Sequence, residues 1–106
     1  MITHQFKVNG NFPIITNADS DIVNPRMQGE IRTGVFHVQN HNTTAVTVSL
    51  YGSMDNYNAD SYTLIHTTAS LASNGTKTES TVVTLFPFMY VKASADNASI
   101  RAYMGE

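Results

Sequence analysis

Apolar residues alternate with hydroxyl-bearing residues through much of the chain, and this period of two restricts the fold more than any other feature. The pattern is clearest from Thr81 to Tyr103, where Pro87 and an Asp96-Asn97 turn separate three strand-like segments. Thr44 to Ser53, TAVTVSLYGS, alternates in the same way. Side chains of a strand point alternately to its two faces, so each segment has one apolar face. The two stretches together predict the core of a small β-sandwich.

Other segments bring the total to about seven short strands, spaced roughly ten residues apart. Arg32 to Asn40 and the stretch from Thr44 are joined by HNTT, which predicts a hairpin with a short connection. Further strands are predicted over Ser61–Thr67, over Thr78–Phe86 after an Asn74-Gly75 turn, and at the end, where Ile100, Ala102 and Met104 face inward. No helical periodicity is evident. The predicted fold is all-β, either a small antiparallel β-sandwich or a jelly-roll-like barrel.

Residues 1–30 are the least periodic part of the chain. Phe6 and Val8 alternate with polar neighbours, whereas Asn17 to Pro25 has the composition of a loop. Two interpretations are open. Residues 1–30 form either a first strand followed by a long surface loop, or an extended arm that packs on another subunit, since long structureless loops are uncommon in compact domains. Residues 31–106 are the β-sandwich domain in both.

The composition argues against several classes of protein. The chain has six Lys and Arg residues and eight Asp and Glu residues. Nucleic-acid binding requires a cluster of positive charge, so this composition argues against a nucleic-acid partner. No apolar run is long enough to cross a bilayer, and no signal peptide is visible. Cysteine is absent, which excludes disulfides and thiolate chemistry. We expect a protein made in a cytoplasm, with neither a membrane nor a nucleic acid as partner.

No group of residues has a recognisable catalytic pattern. His37 and His41 have a helical spacing but fall on a predicted strand and turn, and His4 and His66 lie elsewhere. We therefore expect hydrogen-bonded or solvated histidines rather than a metal site. A loop carries Asp55, Asn56, Asn58 and Asp60. Their spacing is not that of a calcium loop, and turn formation explains them better. We predict that the protein is not an enzyme and needs no cofactor.

Aromatic residues are the strongest candidates for a binding surface. If Met89 and Val91 face the core, Phe88 and Tyr90 face the other side of the same strand. Further tyrosines are expected at or near the surface: Tyr51, Tyr57, Tyr62 and Tyr103. Tyr and Phe on a weakly charged surface suit protein contacts or stacking against sugars. The alternative is that both faces of this strand are covered within the domain.

Two runs in the second half share a pattern: VTVSLYGSMDNYNADSYTLI and TLFPFMYVKASADNASIRAYMGE. In the first, a strand ends in Gly-Ser, and an Asp-containing loop precedes a Tyr and a short strand. In the second, a Pro-aromatic-Met-x-Val run leads into a closing hairpin. The residues concerned are Gly52, Ser53, Asp55, Tyr62, Pro87, Phe88, Met89 and Val91. In these features, residues 44–106 resemble small β-sandwich virion structural proteins of tailed bacteriophages, whereas the N-terminal third is unmatched.

The resemblance implies a non-enzymatic virion protein. A capsid decoration (cement) protein suits this short, cysteine-free chain best; such a protein binds across the joints between capsid subunits and stabilises the head. Its partners would be the major capsid protein and copies of itself, as a trimer or dimer. We expect it on the capsid exterior of the virion, after synthesis in the host cytoplasm.

Protein interfaces are predicted at Phe6, Phe12, Ile14, Ile15, Phe88 and Tyr90. The first four would belong to the N-terminal arm and would add a strand to the exposed sheet edge of a neighbour. The alternative function is a carbohydrate- or receptor-binding β-sandwich module of a phage tail or fibre. Such a module would use Tyr57, Tyr62 or Tyr90 as stacking platforms and the Asx residues of the loop to bind sugar hydroxyls.

Overall fold

Two antiparallel sheets pack face to face in the described part of the chain. The structure, a computed structural model, describes residues 3–25, 32–72, 75, 77–96 and 99–106. The strands are β1 (Thr3–Gln5), β2 (Thr33–Asn40), β3 (Val48–Ser53), β4 (Thr63–Thr67), β5 (Thr78–Thr84), β6 (Phe88–Ala93) and β7 (Ile100–Gly105). One sheet has the order β1-β7-β2-β5, and the other has the order β4-β3-β6. The predicted all-β sandwich is confirmed. None of the described residues belongs to a helix with the length and apolar character required to cross a membrane.

The segment 19–24 extends the three-stranded sheet beyond β6. Asp19 pairs with Lys92, and Val23 pairs with Met89, both in antiparallel fashion. The segment takes one more residue than β6 between these two pairs, so it contains a bulge. With this segment included, the sheets read β1-β7-β2-β5 and 19–24-β6-β3-β4. The chain then crosses between the sheets after every element except β3, which is followed by its neighbour β4 in the same sheet. This is the strand order of a jelly roll.

The inward faces of both sheets supply the core. The predicted inward positions Ile100, Ala102 and Met104 are buried. The apolar faces of the other alternating strands are buried as well: Phe36, Val38, Val46, Val48, Leu50, Met89, Val91 and Ala93. Phe6, Ile14, Leu71, Val83 and Leu85 complete the cluster. Burying a side chain the size of Val, Leu or Phe contributes about 1.5–3 kcal/mol. The core between the sheets is therefore the main source of stability.

The predicted hairpin between β2 and β3 is wrong, because the two strands lie in different sheets. β2 pairs with β5 and β7, whereas β3 pairs with β4 and β6. Each strand has one apolar face, and the two faces meet across the core instead of side by side. The buried Asn40 holds the connection: its Nδ2 group donates to the carbonyl oxygens of Thr44 and Leu71, each at 2.8 Å. β6 and β7 also lie in different sheets, so the expected closing hairpin is absent from the described chain.

Residues 3–25 fold onto their own chain. β1 pairs with β7, and the Ile14 backbone pairs with Ile100. Phe6 is fully buried, and Ile14 is 2% exposed. Residues 3–25 therefore form a first strand, β1, and a connection that includes the segment 19–24 paired with β6. Phe6 and Ile14 are core residues of this chain, which corrects their assignment to an intersubunit arm.

A tight turn at Asn9-Gly10 fixes the path of this N-terminal part. Both residues have positive φ, 50° and 77°, as a type I′ turn requires, and Val8 pairs with Asn11 across it. The Asp21 carboxylate accepts the backbone N–H of Asn9 at 3.0 Å and that of Gly10 at 2.8 Å. Of the two turns predicted from the sequence, Asn74-Gly75 and Asp96-Asn97, each includes a residue outside the described part of the chain.

We expect Ser20→Ala to lower the free energy of unfolding by about 1–3 kcal/mol. The buried Ser20 hydroxyl accepts the backbone N–H of Val91 at 2.8 Å, and its loss leaves that buried N–H without a partner. Urea denaturation measures the difference. The exposed Ser70→Ala variant is the matched control and should stay within about 0.5 kcal/mol of wild type. Equal effects of the two substitutions would contradict this role of Ser20.

Glu79 links the two sheets where β4 and β5 are neighbours. Its carboxylate lies 2.7 Å from His66 Nε2 and accepts the backbone N–H of Ala69 at 2.9 Å. Partial burial acts to raise the pKa of Glu79, but the hydrogen bonds from His66 and Ala69 outweigh it and lower the pKa below the ordinary value of 4.5.

We therefore expect Glu79→Gln to lower the free energy of unfolding by about 1 kcal/mol at neutral pH. A lowered folded-state pKa gives stability that is complete above the unfolded-state value and is lost as the pH falls through the folded-state value. The difference between wild type and variant should consequently shrink in acid below pH 4.5. Urea denaturation at neutral and several acidic pH values tests this, and a difference that persists unchanged in acid would refute it.

Candidate functional site: a tyrosine pocket beside the Asx loop

Three tyrosines gather on the outer face of the three-stranded sheet. Tyr51 on β3 lies directly opposite Tyr90 on β6, and their rings stack with centroids 4.9 Å apart at 16°. Tyr62 packs against Tyr90 with centroids 5.0 Å apart at 63°. Met89 and Val91 face the core, as the alternation predicts, so Tyr90 points outward. The outward tyrosines cover one another partly and remain half-buried.

The loop between β3 and β4, residues 54–62, is held by its own polar side chains. The Ser53 hydroxyl accepts the backbone N–H groups of Asp55 and Asn56, at 3.3 and 3.2 Å. Asn58 caps the 3₁₀ turn at Ala59–Ser61 by accepting the N–H of Asp60 at 2.9 Å. The turn-forming role predicted for these Asx residues is confirmed, and we call this segment the Asx loop.

The Asx loop is also tied to the tyrosines. The Tyr62 hydroxyl donates to Asn56 Oδ1 at 2.5 Å, and Asn56 has a positive φ of 49°. Burial raises the pKa of Tyr62, and the nearby Asp55 carboxylate adds to the effect. Burial likewise raises the pKa of Tyr90, with a smaller contribution from Asp19. Both phenols therefore stay neutral and available as hydrogen-bonding groups well above neutral pH.

Asp55 keeps its negative charge in this setting. The backbone N–H of Tyr57 donates to Asp55 Oδ1 at 3.1 Å. This hydrogen bond is the main reason that the pKa of Asp55 is lowered. The Asx loop thus places an ionised carboxylate beside Tyr62.

A pocket of about 290 Å³ lies between the Asx loop and the N-terminal segment. We call it the tyrosine pocket; its lining residues are Asp19, Ser20, Ile22, Asn56, Tyr57, Asn58, Ala59, Tyr62 and Tyr90. Tyr57 is 74% exposed and Ile22 is 43% exposed, so both form the rim. The volume is at the lower end of the range for small-molecule sites.

The predicted site residues divide between several places. Tyr57, Tyr62 and Tyr90, each named as a possible stacking platform for the alternative function, line one pocket. Phe88 is half-buried on the same outer face as Tyr90. Phe12 packs against Tyr103 on the other sheet, with ring centroids 5.6 Å apart. Ile15 is 58% exposed and lies outside the tyrosine pocket.

Asp19, Ser20 and Ile22 are pocket residues that the sequence does not reveal. They reach the pocket only because the segment 19–24 pairs with β6, about seventy residues away along the chain. This pairing is non-local and irregular, and neither period-two alternation nor a motif marks it. By contrast, the Asn9-Gly10 dipeptide that sets up this path is a turn signal that could have been used.

All four histidines are hydrogen-bonded, and His37 and His41 share the Gln39 side chain as a partner. His4 bonds Glu106, His66 bonds Glu79, and His37 lies 2.5 Å from the Ser80 hydroxyl. His41 bonds Gln39 at 3.0 Å. Within the described residues, no three His, Asp or Glu side chains come close enough together to hold a metal ion.

A second exposed surface lies on the outer face of the four-stranded sheet. Val35 on β2 is directly opposite Val82 on β5, and these side chains are 43% and 69% exposed. Beside them is a groove of about 550 Å³ that Tyr103 also lines. We call Val35, Val82 and Tyr103 the valine face. It has an apolar centre, unlike the hydroxyl-rich strand edges around it.

The two surfaces differ in their chemical groups. The tyrosine pocket offers phenols, two amides and a carboxylate, whereas the valine face is apolar at its centre. Comparison with protein-family models, curated proteins and solved structures gives no match to this chain. Function must therefore be argued from these surfaces and from the sequence resemblance.

We expect Tyr62→Phe to loosen the Asx loop without unfolding the sandwich. The substitution removes the hydroxyl that holds Asn56 but keeps the ring packed on Tyr90. Amide hydrogen exchange in residues 54–58 should become faster, and the free energy of unfolding should fall by about 1 kcal/mol. Tyr57→Phe, at an exposed position, is the control and should leave both quantities unchanged. Unaltered exchange in Tyr62→Phe would show that this hydrogen bond does not order the loop.

Proposed function

We propose that this protein is a non-enzymatic virion structural protein, a capsid decoration (cement) protein that binds across the joints between capsid subunits and stabilises the head. It acts on the capsid exterior after synthesis in the host cytoplasm. Its partners are the major capsid protein and copies of itself. The observation that carries the proposal is the valine face, where two exposed valines lie directly opposite each other on neighbouring strands of a weakly charged protein.

The valine face has the character of a protein-binding surface. Val82 exposes 69% of its surface next to Val35, within a regular strand at the edge of the four-stranded sheet. Interface centres are depleted in charge and enriched in aromatic residues, and Tyr103 supplies the aromatic part here. Contact with a capsid subunit would bury these side chains and add association free energy to the shell.

Self-association is supported by β5, the edge strand next to the valine face. β5 pairs with β2 on one side in the described chain, and its other backbone edge faces outward. Edge strands that avoid pairing with other chains usually carry Lys, Pro or a bulge. β5, TESTVVT, has neither Lys nor Pro and pairs with β2 in unbroken register. The charge it does carry, Glu79, is engaged by His66.

The fold and the resemblance support the same class of function. Jelly rolls occur in viral capsid domains as well as in lectins, and this support is an analogy at the level of fold. The resemblance of residues 44–106 to virion proteins of tailed bacteriophages lies mainly in β3, the Asx loop and β6. None of the eight residues that carry the resemblance belongs to the valine face, although Val82 and Tyr103 lie within residues 44–106.

Co-sedimentation with mature and immature capsids of the virus that encodes the chain tests this proposal. We expect saturable binding at a fixed ratio to capsid subunits, together with a rise in the temperature at which the capsid releases its genome. Val82→Asp places a charge at the centre of the valine face and should weaken binding by tenfold or more, which is about 1.4 kcal/mol. Its exposure and edge position should leave the fold intact, as circular dichroism would verify.

Tyr57→Ala is the matched control, since it changes a similarly exposed side chain in the Asx loop, away from the valine face. It should bind capsids like wild type. Absence of saturable binding to either form of capsid would refute the decoration role. Binding that survives Val82→Asp unchanged would refute the valine face as the contact surface.

A further inference from the structure

We infer that the tyrosine pocket is a binding site for a neutral pyranose sugar, with Tyr57 as the stacking platform and Asn56, Asn58 and Asp19 as the groups that bind its hydroxyls. This inference goes beyond the capsid role and does not depend on it. The pocket and the valine face belong to different sheets, and a protein on the outside of a virion can use both.

Aromatic surface in the pocket matches the apolar face of a sugar ring. A pyranose presents C–H groups on its faces and hydroxyls around its rim, and its C–H face packs on aromatic rings. Tyr57 is 74% exposed, and its ring is free of contacts with the other aromatic rings of the described chain. Tyr62 and Tyr90 close the inner side of the pocket, and Ile22 lies on its rim.

Hydrogen-bonding groups in the pocket match the rim of the sugar. Asn56 Oδ1 accepts the Tyr62 hydroxyl, and Asn58 Oδ1 accepts the N–H of Asp60. Both amides are thereby oriented, and their Nδ2 groups donate to no atom of the described residues. Asp19 adds a carboxylate acceptor at the same pocket. Two oriented donors and one acceptor can engage neighbouring hydroxyls, since each hydroxyl both donates and accepts.

The site is organised before a ligand arrives. Ser53, Asp55 and Asn58 hold the Asx loop through backbone hydrogen bonds, and Ser20 holds the opposite wall on β6. A preorganised site loses little conformational entropy on binding. The volume of about 290 Å³ accommodates one sugar ring rather than a long oligosaccharide.

Charge around the pocket selects among sugars. Asp19 lines it, and Asp55 and Asp60 belong to the adjacent loop. Lys92 lies 4.0 Å from Asp19, but its ammonium donates to the Asn17 carbonyl oxygen at 2.6 Å. Carboxylates therefore exceed cations here, and an anionic sugar such as a sialic acid or a uronic acid would be repelled. The ligand class is thus a neutral hexose or N-acetylhexosamine.

Titration of the ¹⁵N-labelled protein with methyl glycosides of glucose, galactose and N-acetylglucosamine, followed by amide NMR, tests the inference. We expect saturable shifts with at least one of these sugars, at roughly millimolar affinity, confined to residues 19–22, 56–62 and 90. Glucuronic acid and N-acetylneuraminic acid should produce none. Tyr57→Ala should weaken binding about tenfold, whereas Tyr57→Phe keeps the ring and should bind like wild type.

Tyr103→Ala is the matched control on the other sheet and should leave sugar binding unchanged. No saturable shift with any neutral sugar, shifts centred on Tyr103, or equal binding of the acidic sugars would each overturn the inference. The outcome is separable from the capsid proposal: Val82→Asp should retain sugar binding while losing capsids, and Tyr57→Ala should do the reverse.

Discussion

The attachment of residues 19–24 to the edge of β6 is the interaction on which most other features of this protein depend. The Ser20 hydroxyl takes the place of a backbone acceptor for Val91, and Val23 exchanges backbone hydrogen bonds with Met89. The bulge between them directs Asp21 back to the Asn9-Gly10 turn. One short segment therefore covers an open sheet edge, anchors the N-terminal turn and builds a wall of the tyrosine pocket. The segment 19–24, which the sequence predicts to be a loop, therefore connects the N-terminal turn to the three-stranded sheet.

The two sheets present different chemistry to their surroundings. The outer face of the four-stranded sheet exposes Val35 and Val82, and burying these side chains in a contact that excludes water is favourable. The three-stranded sheet shows phenols and amides, which combine apolar packing with directional hydrogen bonds. A surface of the first kind suits a broad, permanent protein contact, and one of the second kind suits a small polar ligand. A sandwich keeps these functions apart, because its core separates the two outer faces.

The features of the fold and the candidate site that depend on neighbouring residues could be predicted from the sequence, and those that depend on distant residues could not. Alternation identified the strands and nearly every inward residue, because side-chain direction in a strand depends only on the neighbouring residues. Alternation could not predict which strands pair. The sequence pattern of β2 and β3 is the same whether the two strands lie side by side in one sheet or face each other across the core. The tyrosines were found as candidates from their exposure pattern, but their meeting with Asp19 and Ile22 depends on the 19–24 pairing. The burial of Phe6 and Ile14 could not be predicted for the same reason, because the surface that covers them comes from distant parts of the chain.

The strand order also has a consequence for how the chain is made. β1 and β2 both pair with β7, and residues 19–24 pair with β6, so these early elements must wait for later ones to be synthesised. Neither sheet can be completed before β6 and β7 have been made, whereas β3 and β4 can pair locally. Folds with such distant pairings form slowly and expose apolar strands in the meantime. The low content of charged residues, which suits the folded surface to binding, gives the partly folded chain little electrostatic repulsion against aggregation. The yield of folded protein in a cell therefore depends on how soon β7 is available to complete its sheet.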